Sequence, residues 1–88
     1  MIDLAKKMRI KARKNYKRAI RKTYRDAKRE LLKEMKSATD NEVFIYLPRR
    51  YRLATRVLAQ HFKKQGFNYR IDFSVCYDRL IIYWGKRP

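Results

Sequence analysis

The sequence from Val43 to Trp84 decides the fold, and it reads VFIYLPRRYRLATRVLAQHFKKQGFNYRIDFSVCYDRLIIYW. It begins with five apolar and aromatic residues, a strand pattern that Pro48 ends. A helical pattern follows and runs to about Gln65. Gly66 is suited to the left-handed conformation that ends many helices, and Phe67 is the apolar residue expected just beyond it. The segment therefore opens with a strand followed by a capped helix.

Two further strand patterns complete this segment. Residues 68–76 alternate, with aromatic and aliphatic side chains on one face and polar ones on the other. Residues 77–79 are predicted to form the turn that follows. Residues 80–84 are apolar on both faces, which predicts that they form the central strand of the sheet.

The predicted fold class is α+β, a long N-terminal basic helix followed by a β-α-β-β module. The β-α-β unit is expected to be parallel and right-handed, and the last two strands are expected to form an antiparallel hairpin. These expectations give a three-stranded mixed sheet with both helices on one face. The whole chain, 1–88, is predicted to be a single domain.

A stretch without Gly or Pro, from Asp3 to Ser37, predicts one helix of about 34 residues with Asp3 as its N-cap. Its apolar positions advance mostly by four residues, so they wind around the axis. They are Leu4, Met8, Ala12, Tyr16, Ile20, Tyr24, Ala27, Leu31 and Met35. Only the later positions stay on one face. We therefore expect residues 1–18 to project as a basic arm, or to pack on something outside the monomer, and residues 19–88 to form the α+β body.

Composition and charge narrow the classes of function. The chain has 88 residues, with 25 Lys or Arg against 8 Asp or Glu, and a formal net charge of +17. An aromatic content of 14% is too high for a disordered basic tail. Cys76 is the single cysteine, which excludes an intrachain disulfide and favours a reducing compartment. With no signal-peptide pattern and no long apolar stretch, we expect a cytoplasmic protein without a membrane partner.

The cations of the first helix have almost no acidic neighbours to neutralise them, which favours a polyanionic partner over a merely solvated face. Three further arginines stand at the start of the second helix, where the helix dipole favours an anion. The predicted nucleic-acid-binding residues are Lys6, Lys7, Arg9, Lys11, Arg13, Lys14, Lys17, Arg18, Arg21, Lys22, Arg25, Arg49, Arg50 and Arg52. Whether the target is DNA or RNA stays open.

The sheet face opposite the helices is predicted to carry Phe44, Tyr46 and Tyr83, together with Arg70 and Ile81. Exposed aromatic residues beside basic ones are typical of surfaces on which nucleic-acid bases stack. A partner protein could equally cover this face, and a simple two-layer domain would also expose it.

Catalytic and metal sites are not indicated. His61 lies in the apolar row of a helix, which favours packing over general-base chemistry. Cys76 has no second thiol for zinc, and the spacing of Asp72 and Asp78 does not favour a carboxylate pair on one strand face. No glycine-rich phosphate loop is present. We expect a protein that is not an enzyme and that uses neither metal nor cofactor.

The order of elements, with VFIYLP after the first helix, KKQGFNY ending the second and IIYW at residues 81–84, resembles small phage-encoded accessory proteins. The resemblance implies a protein that binds host machinery, as anti-CRISPR proteins do, and that acts in the host cytoplasm. The first helix is more basic than that layout usually has, so no functional residues are carried over. One alternative function is therefore inhibition of a host ribonucleoprotein, such as a CRISPR nuclease, through protein and nucleic acid together. Another is a structural component of a ribonucleoprotein.

Overall fold

The structure, a computed structural model, describes residues 3–85. Its elements are α1 (Leu4–Ser37), β1 (Glu42–Pro48), a 3-10 turn (Arg49–Tyr51), α2 (Arg52–Lys64), β2 (Asn68–Phe73) and β3 (Tyr77–Tyr83). The first two residues of the predicted arm and the last three of the predicted body lie outside the described residues. The fold class is α+β, as predicted.

Helix α1 is one continuous element of 34 residues, which confirms the prediction. Good helix formers fill it, and neither Gly nor Pro interrupts it. At its start, the Asp3 side chain accepts a hydrogen bond of 3.3 Å from the backbone N–H of Ala5. This capping bond satisfies a donor that has no partner within the helix.

The sheet has the strand order β1-β3-β2, and both hydrogen-bonded pairs are antiparallel. The prediction of a mixed sheet is therefore wrong. The first two strands do run in the same direction, but β3 lies between them. Three consecutive residues of β3, Leu80, Ile81 and Ile82, are buried, which confirms the central place predicted for this strand. A strand that is apolar on both faces is best accommodated where neighbours flank it on both edges.

The predicted turn at residues 77–79 is also wrong, because these residues belong to β3. The chain turns earlier, where the backbone N–H of Ser74 donates to the carbonyl of Tyr77 over 3.1 Å. Within β3, Asp78 pairs with Arg52 of α2, and Arg79 pairs with Asp72 of β2. These partners hold the two polar residues in the strand.

Both helices and the sheet share one apolar core. Its buried members are Ala27, Leu31, Val43, Leu47, Leu58, Ala59, Phe62, Leu80 and Ile82. Helix α1 contributes only from its second half. In the sheet, Val43 is opposite Ile82 across the β1–β3 pair, so alternate positions on these strands point into the core.

Helix α2 ends as its sequence predicts. Gly66 has a positive φ of 96°, and its N–H donates to the carbonyl of Lys63 over 3.1 Å. The N–H of Phe67 donates to the carbonyl of Phe62 over 3.1 Å, and the two rings meet edge to face at 5.7 Å. This is a Schellman cap with its apolar contact, and it turns the chain toward β2.

Candidate nucleic-acid interface

The first half of α1 is an exposed cationic rod. Every residue from Leu4 to Arg18 is exposed, and burial begins only at Ala19 and Ile20. This stretch, which we call the arm, contains eight Lys or Arg and no Asp or Glu. None of the eight has an ion-pair partner among residues 3–85. Their charge is therefore not neutralised by ion pairs within the described part of the chain.

The arm makes the molecule long. The structure measures 61 Å along its longest axis but only 24 by 20 Å across, with a radius of gyration of 16.2 Å. A compact chain of this length would have a radius of gyration of about 12 Å. That residues 19–88 fold without the arm stays a prediction.

The cations of the arm fall into two rows when they are placed at about 100° per residue around the helix axis. The inner row consists of Lys6, Arg9, Arg13 and Lys17. The outer row consists of Lys7, Lys11, Lys14 and Arg18. The rows lie about 120° apart around the axis, and Ile10, which is 46% exposed, lies midway between them.

The inner row occupies the side of α1 that becomes the core-facing side once the body begins. Continuing that side along the helix leads to Ile20, Tyr24, Ala27 and Leu31. Ala27 and Leu31 are buried, and Tyr24 packs partly buried against the core. One side of a single helix thus changes from cationic to apolar where it reaches the body.

The remaining side of the arm carries no cation. It presents Ala5, Met8, Ala12 and Tyr16. The cations of the arm therefore span about 200° around the helix axis, a little over half of the circumference.

An aromatic contact fixes the base of the arm to the body. The rings of Tyr16 and Tyr51 lie 6.1 Å apart, and the Arg50 guanidinium lies 5.0 Å from the centre of the Tyr51 ring. The backbone N–H of Arg49 donates to the carbonyl of Cys76 over 3.0 Å, which ties the 3-10 turn to the β2–β3 connection. Arg49 and Arg50 are exposed, and they add two cations of the 3-10 turn to those at the base of the arm.

Arg52, also predicted to bind nucleic acid, has a different environment. It donates two hydrogen bonds to the Asp78 carboxylate, of 2.8 and 3.1 Å, and its guanidinium lies 4.5 Å from the centre of the Phe73 ring. Asp78 is fully buried, and its hydrogen bond to Arg52 raises the pKa of the guanidinium. Arg52 thus neutralises a buried carboxylate and links α2 to β3.

The other predicted cations of α1, Arg21, Lys22 and Arg25, are exposed. They lie beside the body and continue the outer row along the helix. The cationic surface therefore extends from the arm along the solvent side of α1.

The predicted aromatic face has a defined geometry. Phe44 and Tyr46 are 50% and 59% exposed, and their rings meet edge to face at 5.6 Å. Tyr83 is half-buried. The Arg79 guanidinium lies 5.6 Å from the centre of the Phe44 ring.

Arg79 is held in place by Asp72, whose carboxylate accepts from Arg79 over 2.6 Å and from Arg70 over 3.1 Å. The hydrogen bond from Arg79, with a smaller contribution from Arg70, lowers the pKa of Asp72 against the opposing effect of burial. Ile81, predicted on this face, is directly opposite Phe44 and Arg70 in the register and is buried.

His61 packs between aromatic rings, 6.4 Å from Tyr24 and 5.3 Å from Phe62. Burial lowers its pKa, and the nearby charges of Lys28 and Lys64 lower it further. Cys76 is exposed and carries a free thiol. Within residues 3–85, no group of three or more His, Cys, Asp and Glu side chains is placed to hold a metal ion.

The helices of the described region include none that combines the length and apolar character needed to cross a membrane. No protein-family model, no curated protein and no solved structure matches the chain. The resemblance to phage-encoded accessory proteins thus stays a prediction.

Proposed function

We propose that this protein is a non-enzymatic nucleic-acid-binding protein that grips the phosphate backbone with its basic arm. The observation that carries the proposal is the arm itself, eight cations on an exposed helix with no acidic residue among them. Folding brings these like charges together along one rod, which is unfavourable unless a polyanion neutralises them. Phosphates do so and release counterions in the process.

Lysine and arginine contacts to phosphate are insensitive to base sequence, so we expect binding that tolerates many sequences. Arg49 and Arg50 at the base of the arm extend the surface onto the body. Arg52 is left out of the proposed interface because Asp78 takes two of its N–H donors.

The test is a titration of duplex DNA, duplex RNA and single strands at several salt concentrations. Affinity should fall steeply as salt rises, because each neutralised phosphate releases counterions that must be taken up again on dissociation. An affinity that hardly changes between low and high salt would rule out phosphate neutralisation.

A second candidate function is inhibition of a host ribonucleoprotein, in which the arm contacts nucleic acid and the aromatic face contacts protein. The half-exposed pair Phe44 and Tyr46 favours it, because buried aromatic side chains often anchor protein interfaces. A structural role inside a ribonucleoprotein would use the arm alone.

Replacing Phe44, Tyr46 and Tyr83 together by Ser separates these functions. Affinity for free nucleic acid should hardly change, because phosphate contacts dominate it. Capture of a specific ribonucleoprotein should be lost if the face binds protein. The matched control is the double variant L53S/V57S, which removes two half-exposed apolar side chains from α2 instead. If capture survives the triple replacement, the inhibitor hypothesis fails.

A further inference from the structure

The arrangement of the cations in the arm restricts the form of nucleic acid that it can bind. A helix that lies against one strand can bring one row of side chains to the phosphates. Here two rows of four run along the same stretch, about 120° apart, so they can reach phosphates on two sides of the helix at once. Two phosphate walls facing each other occur in the grooves of a duplex.

We propose that the arm lies in the major groove of duplex DNA, with the inner row on one backbone and the outer row on the other. This inference rests on the proposed function and names its substrate class. A helix with its side chains is about 10–12 Å wide, which matches a major groove of about 12 Å. The minor groove, about 6 Å wide, does not admit it. The major groove of an RNA duplex is deep and too narrow to be read by side chains.

Two other features of the arm fit this placement. Ile10, midway between the rows and 46% exposed, faces the floor of the groove, where an aliphatic side chain can contact the methyl group of thymine. The cation-free side, with Ala5, Met8 and Ala12, is opposite Ile10 and faces away from the DNA. The cations are thus confined to the part of the circumference that phosphates can reach.

The arm is exposed along its whole length. Side chains on α1 become buried only from residue 19 onward, so the cations of both rows are accessible to a duplex. Tyr16 and Tyr51 meet where the arm leaves the body, and Arg50 lies against Tyr51. The backbone contacted by the inner row passes this point, where Arg50 adds a further cation.

The two rows provide matched variants of the full-length protein for the test. The inner-row variant is K6Q/R9Q/R13Q/K17Q, and the outer-row variant is K7Q/K11Q/K14Q/R18Q. Each removes four charges from the same stretch of helix. With a 20-base-pair duplex DNA, both variants should bind at least about tenfold more weakly than the wild-type protein, and both salt slopes should fall by about 3–4. If only one row mattered, the helix would lie on a single backbone and the inference would be overturned.

The second measurement compares ligands of equal length at one salt concentration. Wild-type protein should bind duplex DNA at least about tenfold more tightly than duplex RNA, whose major groove is too narrow for a helix, or single-stranded DNA, which has no groove. A dye that occupies the major groove should compete with the protein, and a minor-groove dye should not. Equal, salt-dependent binding to all three nucleic acids would overturn the placement of the arm in the major groove and leave the proposed function intact. Absence of salt-dependent binding to any of them would overturn both.

Discussion

The two halves of α1 belong to one continuous helix, but the first half is exposed and the second half packs on the body. In the second half, the inward side carries Ala27 and Leu31, which are buried against the sheet and α2. In the first half, the same side carries Arg9 and Arg13, which are exposed. Helix propensity is high in both halves, so backbone preference does not distinguish them. The difference lies in which side chains the helix presents, apolar ones that pack into the core or cations that stay exposed.

Deleting residues 1–18 should produce the largest effect and separates the two halves directly. The shortened chain, starting at Ala19, should lose only the helical signal of the deleted residues by circular dichroism and keep the rest of α1, α2 and the sheet, because the core begins beyond the cut. It should bind nucleic acid at least about 1000-fold more weakly, since eight cations are removed. Global unfolding of the shortened chain would show instead that the arm belongs to the core.

Leu31→Ala tests the buried half. Leu31 is fully buried in the core, and truncating such a side chain costs about 3 kcal/mol of unfolding free energy. Ile10→Ala in the arm is the control and should cost less than about 0.5 kcal/mol. Urea denaturation measures both. Equal losses of stability in the two variants would contradict the division of α1.

The charged pair Arg52 and Asp78 in the body should contribute to the stability of the fold, unlike the unpaired cations of the arm. Asp78→Ala leaves Arg52 without its buried partner and should destabilise the fold by about 2–3 kcal/mol. Asp72→Ala on the other sheet face is the matched control, and its loss of stability should be clearly smaller than that of Asp78→Ala because solvent weakens the Asp72 interactions. Thermal and urea unfolding compare the two. A negligible effect of Asp78→Ala would contradict a structural role for this pair.

The smallest expected effect concerns His61, which packs beside α1. Its pKa is lowered in the folded state, first by burial and then by Lys28 and Lys64. Below the ordinary value of 6.5 the unfolded chain binds the proton more readily, so stability should fall as pH drops from that value toward the lowered pKa. In the wild-type protein this loss of unfolding free energy should be under about 1 kcal/mol between pH 7.5 and 5.5, and the His61→Gln variant should not show it. If the unfolding free energy of the two proteins changed with pH in parallel, the role assigned to His61 would be contradicted.

Sequence patterns predicted the elements better than their assembly. The length of α1, the Asp3 cap, the Gly66 cap and the central place of β3 all follow from local signals, and the structure confirms them. The mixed sheet was predicted wrongly because the expectations for the separate strands were not combined. Since β1 and β2 run in the same direction, a central β3 that is antiparallel to β2 must also be antiparallel to β1. The turn was misplaced because Asp78 and Arg79 look like turn residues, while their partners Arg52 and Asp72 lie elsewhere in the chain.

The candidate site shows the same limit. Counting cations identified the arm, but total charge could not separate Arg52, which Asp78 engages, from exposed Arg50. The two rows follow from the spacing of residues along a helix, and the structure adds that the inner row lies on the core-facing side of α1. Ala27 and Leu31 define that side, and stepping back along the helix from Ile20 by seven and eleven residues reaches Arg13 and Arg9.

The central claim is that the position of the cations in the arm, and not the net charge, determines binding. Two variants, each lowering the net charge from +17 to +11, test it by their salt slopes on duplex DNA. The arm variant replaces Lys6, Lys7, Arg9, Lys11, Arg13 and Lys14 by Gln. The body variant replaces the exposed residues Arg29, Lys33, Lys36, Arg56, Lys63 and Lys64 by Gln. The arm variant should lose about five from the slope of log affinity against log salt, and the body variant should keep nearly the wild-type slope. Equal losses in both variants would contradict the claim.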